Sequence, residues 1–137
     1  MSKVMRFGVS LDQELLEKFD RLAKEKNYTC RSEALRDLIR QELVQEQWEG
    51  GNEIAGAITL VYDHHKRELV NKLMDIQHDF GDAIISTQHI HLDHNNCLEI
   101  IAVKGSPGKV RKLTNSLASV KGVKHAALNM STTGKGI

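Results

Sequence analysis

The stretch Ala83–Lys104, AIISTQHIHLDHNNCLEIIAVK, decides how the second half of this chain folds. Two β-rich runs, Ala83 to Leu92 and Cys97 to Lys104, flank a polar turn at Asp93-His94-Asn95-Asn96, which is the pattern of a hairpin. Successive side chains of a strand point to opposite faces, so Thr87, His89 and His91 share one face and Ile90 lies on the other. A hairpin centred near His94 places Cys97 beside His91 on the returning strand. Two imidazoles and one thiolate then occupy one patch of sheet. One more donor would fill four positions.

Working outward, Ile54 to Tyr62 reads as an apolar strand. Asp63 can cap a helix carrying Leu69, Val70, Leu73, Met74, Ile76 and Phe80, ended by Gly81. After the hairpin, Gly105-Ser106-Pro107-Gly108 reads as a loop. Val110, Leu113, Leu117 and Val120 mark a second helix, stopped by Gly122, and Val123 to Met130 is a last strand. The order βαββαβ is the ferredoxin-like split unit, with two helices on one face of an antiparallel sheet. The pattern predicts Ile90, Leu98 and Ile100 under the helices. It predicts His89, His91 and Cys97 on the open face, together with Ile85, Ile101 and Val103. Aliphatic side chains on an open sheet face call for a partner, and a second copy could bring the missing donor. The candidate donor is His78, at the end of the first helix of this half; spacing does not fix its direction.

Residues 4–11 alternate, with Met5, Phe7, Val9 and Leu11 on one side and Arg6, Gly8 and Ser10 on the other, which predicts one short strand. Leu15, Leu16, Phe19, Leu22 and Ala23 mark a helix capped by Ser10 or Asp12 and stopped at Asn27. A second helix starts with Ser32 as its cap, carries Ala34, Leu35, Leu38, Ile39 and Leu43, and runs to Trp48. Gly50-Gly51-Asn52 breaks it. A lone strand leaves both edges unpaired, and each helix has too little to pack against. A twofold dimer repairs both faults: two strands pair antiparallel over four helices, and the ribbon presents Arg6, Gly8 and Ser10 from each chain. Such a ribbon fits the DNA major groove. Taken alone, Arg6 and Ser10 are as readily the solvated side of a strand. The order strand, helix, turn, helix tips the balance.

Composition bounds the rest. With 40% hydrophobic and 27% charged residues the chain can build a core, and a formal net charge of +1 does not by itself announce a nucleic-acid partner. No apolar run reaches membrane-spanning length and no signal peptide is evident, so a cytoplasmic location is expected. Cys30 and Cys97 lie far apart, and in a reducing compartment a ligand or an inert thiol is expected rather than a disulfide. Three imidazoles and a thiolate would suit zinc as a tetrahedron, or copper(II) or nickel(II) as a square plane. Histidines on strands are ordinarily surface residues; what sets His89 and His91 apart is their convergence with Cys97. His64 and His65 read as the solvated start of a helix. His94 and His125 are assigned no role.

The chain resembles the nickel-responsive transcriptional regulators of the ribbon-helix-helix class. The resemblance rests on Arg6-Phe-Gly-Val-Ser-Leu-Asp12 and Arg31-Ser-Glu-Ala-Leu-Arg-Asp37 in the first half. In the second it rests on Gln77-His78, His89-Ile-His91 and Cys97-Leu-Glu-Ile100. It implies an α+β chain, with a dimeric ribbon-helix-helix domain (βαα) over residues 1–49 and a linker at 50–53. A ferredoxin-like, ACT-type domain for metal sensing and tetramerisation follows at 54–131, and a flexible tail at 132–137. It implies a homotetramer, a dimer of dimers, bound to double-stranded operator DNA. It implies one square-planar Ni²⁺ per subunit, held by His89, His91 and Cys97 of one chain and His78 of a neighbour, with nickel favouring repression of nickel-uptake genes. Base-reading positions fall on Arg6, Gly8 and Ser10; Gly8 departs from the family, where a hydrogen-bonding side chain is usual. Phosphate contacts fall on Arg36, Lys66 and Arg67, and a weaker second cation site on Glu33 and Asp37. The glycine linker is expected to let each ribbon dimer swing.

Other readings share parts of this pattern: a zinc or copper regulator of the same fold, an ACT-type sensor of a small molecule, or an antitoxin-like module. A four-ligand metal leaves no open position for substrate, and no nucleophile–base pair or phosphate loop is evident, so neither an enzyme nor a small-molecule substrate is expected. Arg6→Ala should weaken operator preference by about 1–3 kcal/mol per lost bidentate contact, measured by footprinting titration; an unchanged titration would return Arg6 to the solvated reading.

Overall fold

The computed structural model describes Ser2–Ile137 and divides into two compact units, one through Gln41 and one from Glu42 to Ile137. In the first unit the segment before Gln13 carries neither helix nor strand among the described residues. The strand expected at 4–11 is thus absent in a single chain. A strand exists only by pairing, and this segment has nothing to pair with. Its alternating side chains are open: Met5 is 77% exposed, Phe7 73% and Val9 60%.

Helix α1 spans Gln13–Glu25 and is capped by Asp12, whose Oδ1 accepts the Leu15 N–H at 2.9 Å. Asn27 turns the chain with φ 64°, a left-handed conformation that asparagine tolerates. Helix α2 spans Arg31–Gly50, so Ser32 lies inside its first turn rather than capping it. Arg31 ties the two helices by a double hydrogen bond to Asp20, both at 2.9 Å. Among the described residues of this unit only Ala34 is buried, while Leu15, Leu22, Leu38 and Ile39 stay about half exposed.

The second unit holds β1 (Ile54–Asp63), α3 (Arg67–Asp79), a 3-10 turn (Gly81–Ala83), β2 (Ile84–His91), β3 (Asn96–Gly105), α4 (Pro107–Ala118) and β4 (His125–Met130). The antiparallel sheet has the order β2-β3-β1-β4, as the βαββαβ pattern requires. Three local expectations are corrected. Asp63 closes β1 and accepts the His65 N–H, and α3 begins at Arg67 behind Lys66 without a side-chain cap. Pro107 and Gly108 open α4 instead of forming a loop: Ser106 Oγ accepts the Lys109 N–H at 3.3 Å, and proline suits the first helical position. The segment after Met130 is not frayed, because Trp48 Nε1 donates to Ser131 O at 2.8 Å.

The largest correction concerns the faces of the sheet. Ile54, Ile58, Leu60 and Tyr62 of β1 and Cys97, Glu99, Ile101 and Val103 of β3 are buried with Leu69, Leu73, Val110, Leu113 and Leu117 of the helices. The helices therefore cover β1 and β3 on the face carrying Cys97; His89 and His91 of the edge strand β2 share that face but remain exposed. Ile90, Leu98 and Ile100 lie on the open face with Ala57, Val61 and Ala102, all half-buried. Both faces of β3 are aliphatic, Leu98 and Ile100 on one and Ile101 and Val103 on the other, so its apolar pattern does not tell the inner face from the open one. Gly50 and Gly51 fall inside this unit, between buried Trp48 and buried Ile54, and Gly51 turns the chain with φ 78°. Leu113→Ala should cost about 2–5 kcal/mol in chemical denaturation, since Leu113 is fully buried at the centre of this core.

Candidate metal centre

The β2–β3 ladder sets the donors. His91 lies directly opposite Cys97, His89 opposite Glu99, and Thr87 opposite Ile101. All these side chains lie on the face of the sheet that carries the helices, those of β3 buried and those of β2 exposed. The turn that fixes this register is built on Asp93. Its carboxylate accepts the Asn95 N–H at 2.9 Å, the Asn96 N–H at 2.7 Å and the Asn96 side-chain amide at 3.2 and 3.0 Å. Those bonds, the Asn96 side chain first, hold the Asp93 carboxyl down at about 2.

Behind His89 lies Glu99, 1% exposed and the one buried charged residue among the described ones. Its carboxylate accepts from Tyr62 OH at 2.6 Å and Gln77 Nε2 at 2.5 Å, and faces His89 Nε2 at 2.7 Å. Gln77 in turn accepts from Thr87 Oγ1 at 3.3 Å. A carboxylate withdrawn from water needs such partners, and these join β1, α3 and β2. Burial, and then the bond to Glu99, push the Tyr62 phenol well above its ordinary range, so it remains a donor. Sequence reading gave Glu99, Tyr62, Gln77 and Thr87 no role. Their signal was the regular spacing of Glu99 from Cys97 on one strand face, with Gln77 beside His78.

His78 is exposed on α3 and lines a cleft of about 490 Å³ with Gln77, Thr87, His89 and Glu99. His91 is exposed, and its ring stacks on His64, with centroids 4.6 Å apart and planes 8° apart. His64 and His65 both place Nε2 against His94 O, at 3.1 and 2.9 Å. The pair thus belongs to the hairpin end of the sheet, because Asp63 pairs with Asn96, and not to a solvated helix start. Cys97 is 1% exposed. Among the described residues no group of three His, Cys, Asp or Glu side chains is assembled to hold a metal within one chain. His89, His91 and Cys97 nonetheless form a soft-to-borderline donor set on adjoining ladder positions, and such a set fits nickel.

The DNA-contact candidates Arg6, Gly8 and Ser10 are exposed in the segment before α1; nothing lies within 4 Å of where a side chain at Gly8 would begin. Arg36 is exposed on α2, and Lys66 and Arg67 are exposed at the start of α3. Glu33 accepts from Thr29 Oγ1 at 2.9 Å. Asp37 accepts from Tyr28 OH at 2.5 Å and lies 3.9 Å from Arg40. No helix of the described residues is long and apolar enough to cross a membrane.

Residues 55–131 match the family profile described as NikR C terminal nickel binding domain, and residues 5–46 match the ribbon-helix-helix protein, copG family. A protein of Syntrophus aciditrophicus assigned as a nickel-responsive regulator is 62% identical over 98% of both chains. One of Chlorobium limicola, with the same assignment, is 58% identical over 98% of this chain and all of its own. An uncharacterized protein of Thermotoga maritima shares the fold of part of the chain, with a TM-score of 0.52 and 14% identity over 56% of this chain and 95% of its own.

A depressed carboxyl stabilises the hairpin turn above its ordinary value of 3.8, and that contribution is lost as pH falls through about 2. Carboxyl NMR should therefore put the Asp93 midpoint near 2, and Asn96→Ala should move it back towards 3.8. A wild-type midpoint at the ordinary value would contradict the turn.

Proposed function

Because the chain belongs to the family of nickel-responsive regulators, and so is a nickel-dependent, DNA-binding transcription regulator and not an enzyme, we propose that its metal is held by His89, His91 and Cys97 of one subunit and His78 of a neighbouring subunit. The observation that carries this is the ladder, which sets His91 opposite Cys97 with His89 two residues away on the same face. The set is incomplete within one chain, and His78 lies exposed on α3, free to meet another copy. Nickel supplies a bond network that ties these elements together, with one ion per subunit of a homotetramer. Imidazole and thiol donors must be deprotonated to bind, so loading weakens in acid.

The unpaired segment before Gln13 supports a ribbon shared by two chains, with Arg6 and Ser10 reading bases. Gly8 has no side chain to read with, so the operator differs there from that of relatives bearing a polar residue. Arg36, Lys66 and Arg67 contact phosphates, and their number sets the salt dependence of binding. Residues 1–49 serve as the DNA-reading part and 54–131 as the sensing part. Filling the metal site joins the hairpin of one subunit to α3 of another. This lowers the ordering cost of placing two ribbons on two half-sites, so nickel favours operator binding and repression of nickel-uptake genes. Glu33 and Asp37 form a weaker second cation site once Thr29 and Tyr28 turn aside.

Tight nickel binding should be lost in Cys97→Ser and in His78→Ala, each measured by metal titration and by the thiolate-to-nickel absorption band. Mixed tetramers of the two variants should regain part of that band, since each chain supplies what the other lacks. Full binding by either variant alone, or no recovery on mixing, would refute the shared site.

A further inference from the structure

The end of the chain is fastened to the last turns of α2. Ser131 N–H donates to Ala55 O at 2.9 Å, and Ser131 O accepts Trp48 Nε1–H at 2.8 Å. Thr132 Oγ1 donates to Gln47 Oε1 at 2.8 Å and accepts the Gly134 N–H at 3.1 Å, while Gln47 Nε2 donates to Lys135 O at 2.9 Å. Gly134 and Gly136 have φ 86° and 78°, which lets the segment fold back. Trp48 is 2% exposed, packs beside Gly56, and carries the Arg111 guanidinium 5.7 Å from its ring centroid. A helix end leaves its last backbone carbonyls without intrahelical partners and tends to fray. Here both faces of the final turns are held, one by the core and one by residues 131–135.

None of these groups serves the metal donors or the DNA contacts. We infer that residues 131–135 clamp α2 onto the sheet, and that Gln47 and Thr132 are positioning residues for operator binding. Helix α2 is one continuous element through Gln41 and Glu42, and it also carries Arg36. Freedom at its far end is freedom that operator binding must remove. The clamp removes it in advance, and its loss therefore appears in DNA affinity and not in nickel affinity.

The test uses the full, nickel-loaded protein and a duplex containing the promoter segment that it footprints. Gln47→Ala removes two of the bonds; Thr132→Val, nearly the same shape, removes the hydroxyl that serves both Gln47 and Gly134. In both variants amide exchange over residues 42–50 and 131–136 should quicken by about tenfold, and operator affinity should fall about three- to tenfold, the scale of one or two net hydrogen bonds. Nickel affinity should stay within about twofold, since the clamp touches no donor. Unchanged exchange, unchanged operator affinity, or an equal loss of nickel affinity would each overturn the clamp. Failure of the Cys97 and His78 variants would leave this result unaffected.

Discussion

A strand offers only every second side chain to the layer above it, and β3 offers Cys97, Glu99, Ile101 and Val103 to the helices. That parity makes the hydrophobic core and the proposed metal donors parts of one surface. A slip of one residue in the hairpin would turn every one of these side chains to the open face. The register is therefore held at the tip by Asp93 and its asparagine donors, and along the strands by the ladder itself. Glu99 is the costly member of the row. Withdrawn from water, it is tolerable only because Tyr62, Gln77 and His89 all face it. The same bonds that make its burial tolerable hold His89, one proposed donor, and tie it to α3, the helix bearing another proposed donor, His78. An outer layer of this kind is how protein sites hold metal ligands in place.

The N-terminal unit is governed by a different shortage. Its backbone before Gln13 has no ladder partner and its apolar side chains remain open to water. The open face of the sheet repeats the theme more mildly, with Val61, Ile90, Leu98 and Ile100 only half covered. Apolar surface left in this state is what self-association removes. On the proposed reading, the DNA-reading element and the complete metal site would both arise from the same event, the meeting of chains.

The order of elements was legible because each carries a clear period or a clear stop: alternation in the strands, Val110 to Leu117 in α4, Asn27 and Gly122 at the turns. The spacing of His89, His91 and Cys97 was legible for the same reason, since strand parity alone puts them together. Which face they occupy was not, because Leu98 and Ile100 are as apolar as Ile101 and Val103. The burial of Glu99 depends on partners from β1 and α3 that no local pattern announces. The alternation of residues 4–11 reads as a strand in need of a partner; a single chain cannot supply one, and no strand forms there. Pro107 and Gly108 looked like a loop because their residue types suit turns, while Ser106 and the first-turn tolerance for proline made them a helix start. The end of the chain looked loose because it is small and polar; what fastens it is Gln47 and Trp48, remote in sequence.

Trp48 is the only tryptophan in the chain. Its indole is enclosed, its N–H is bonded to a carbonyl, and a guanidinium lies over its ring. Each of these conditions alters the emission of the excited ring, and each ends when the helix lets go. The protein thus carries a built-in optical reporter of how the last turns of α2 are seated. It is seated away from the imidazoles and sulfur, needs no dye, and can be followed on the stopped-flow timescale as ligands are added.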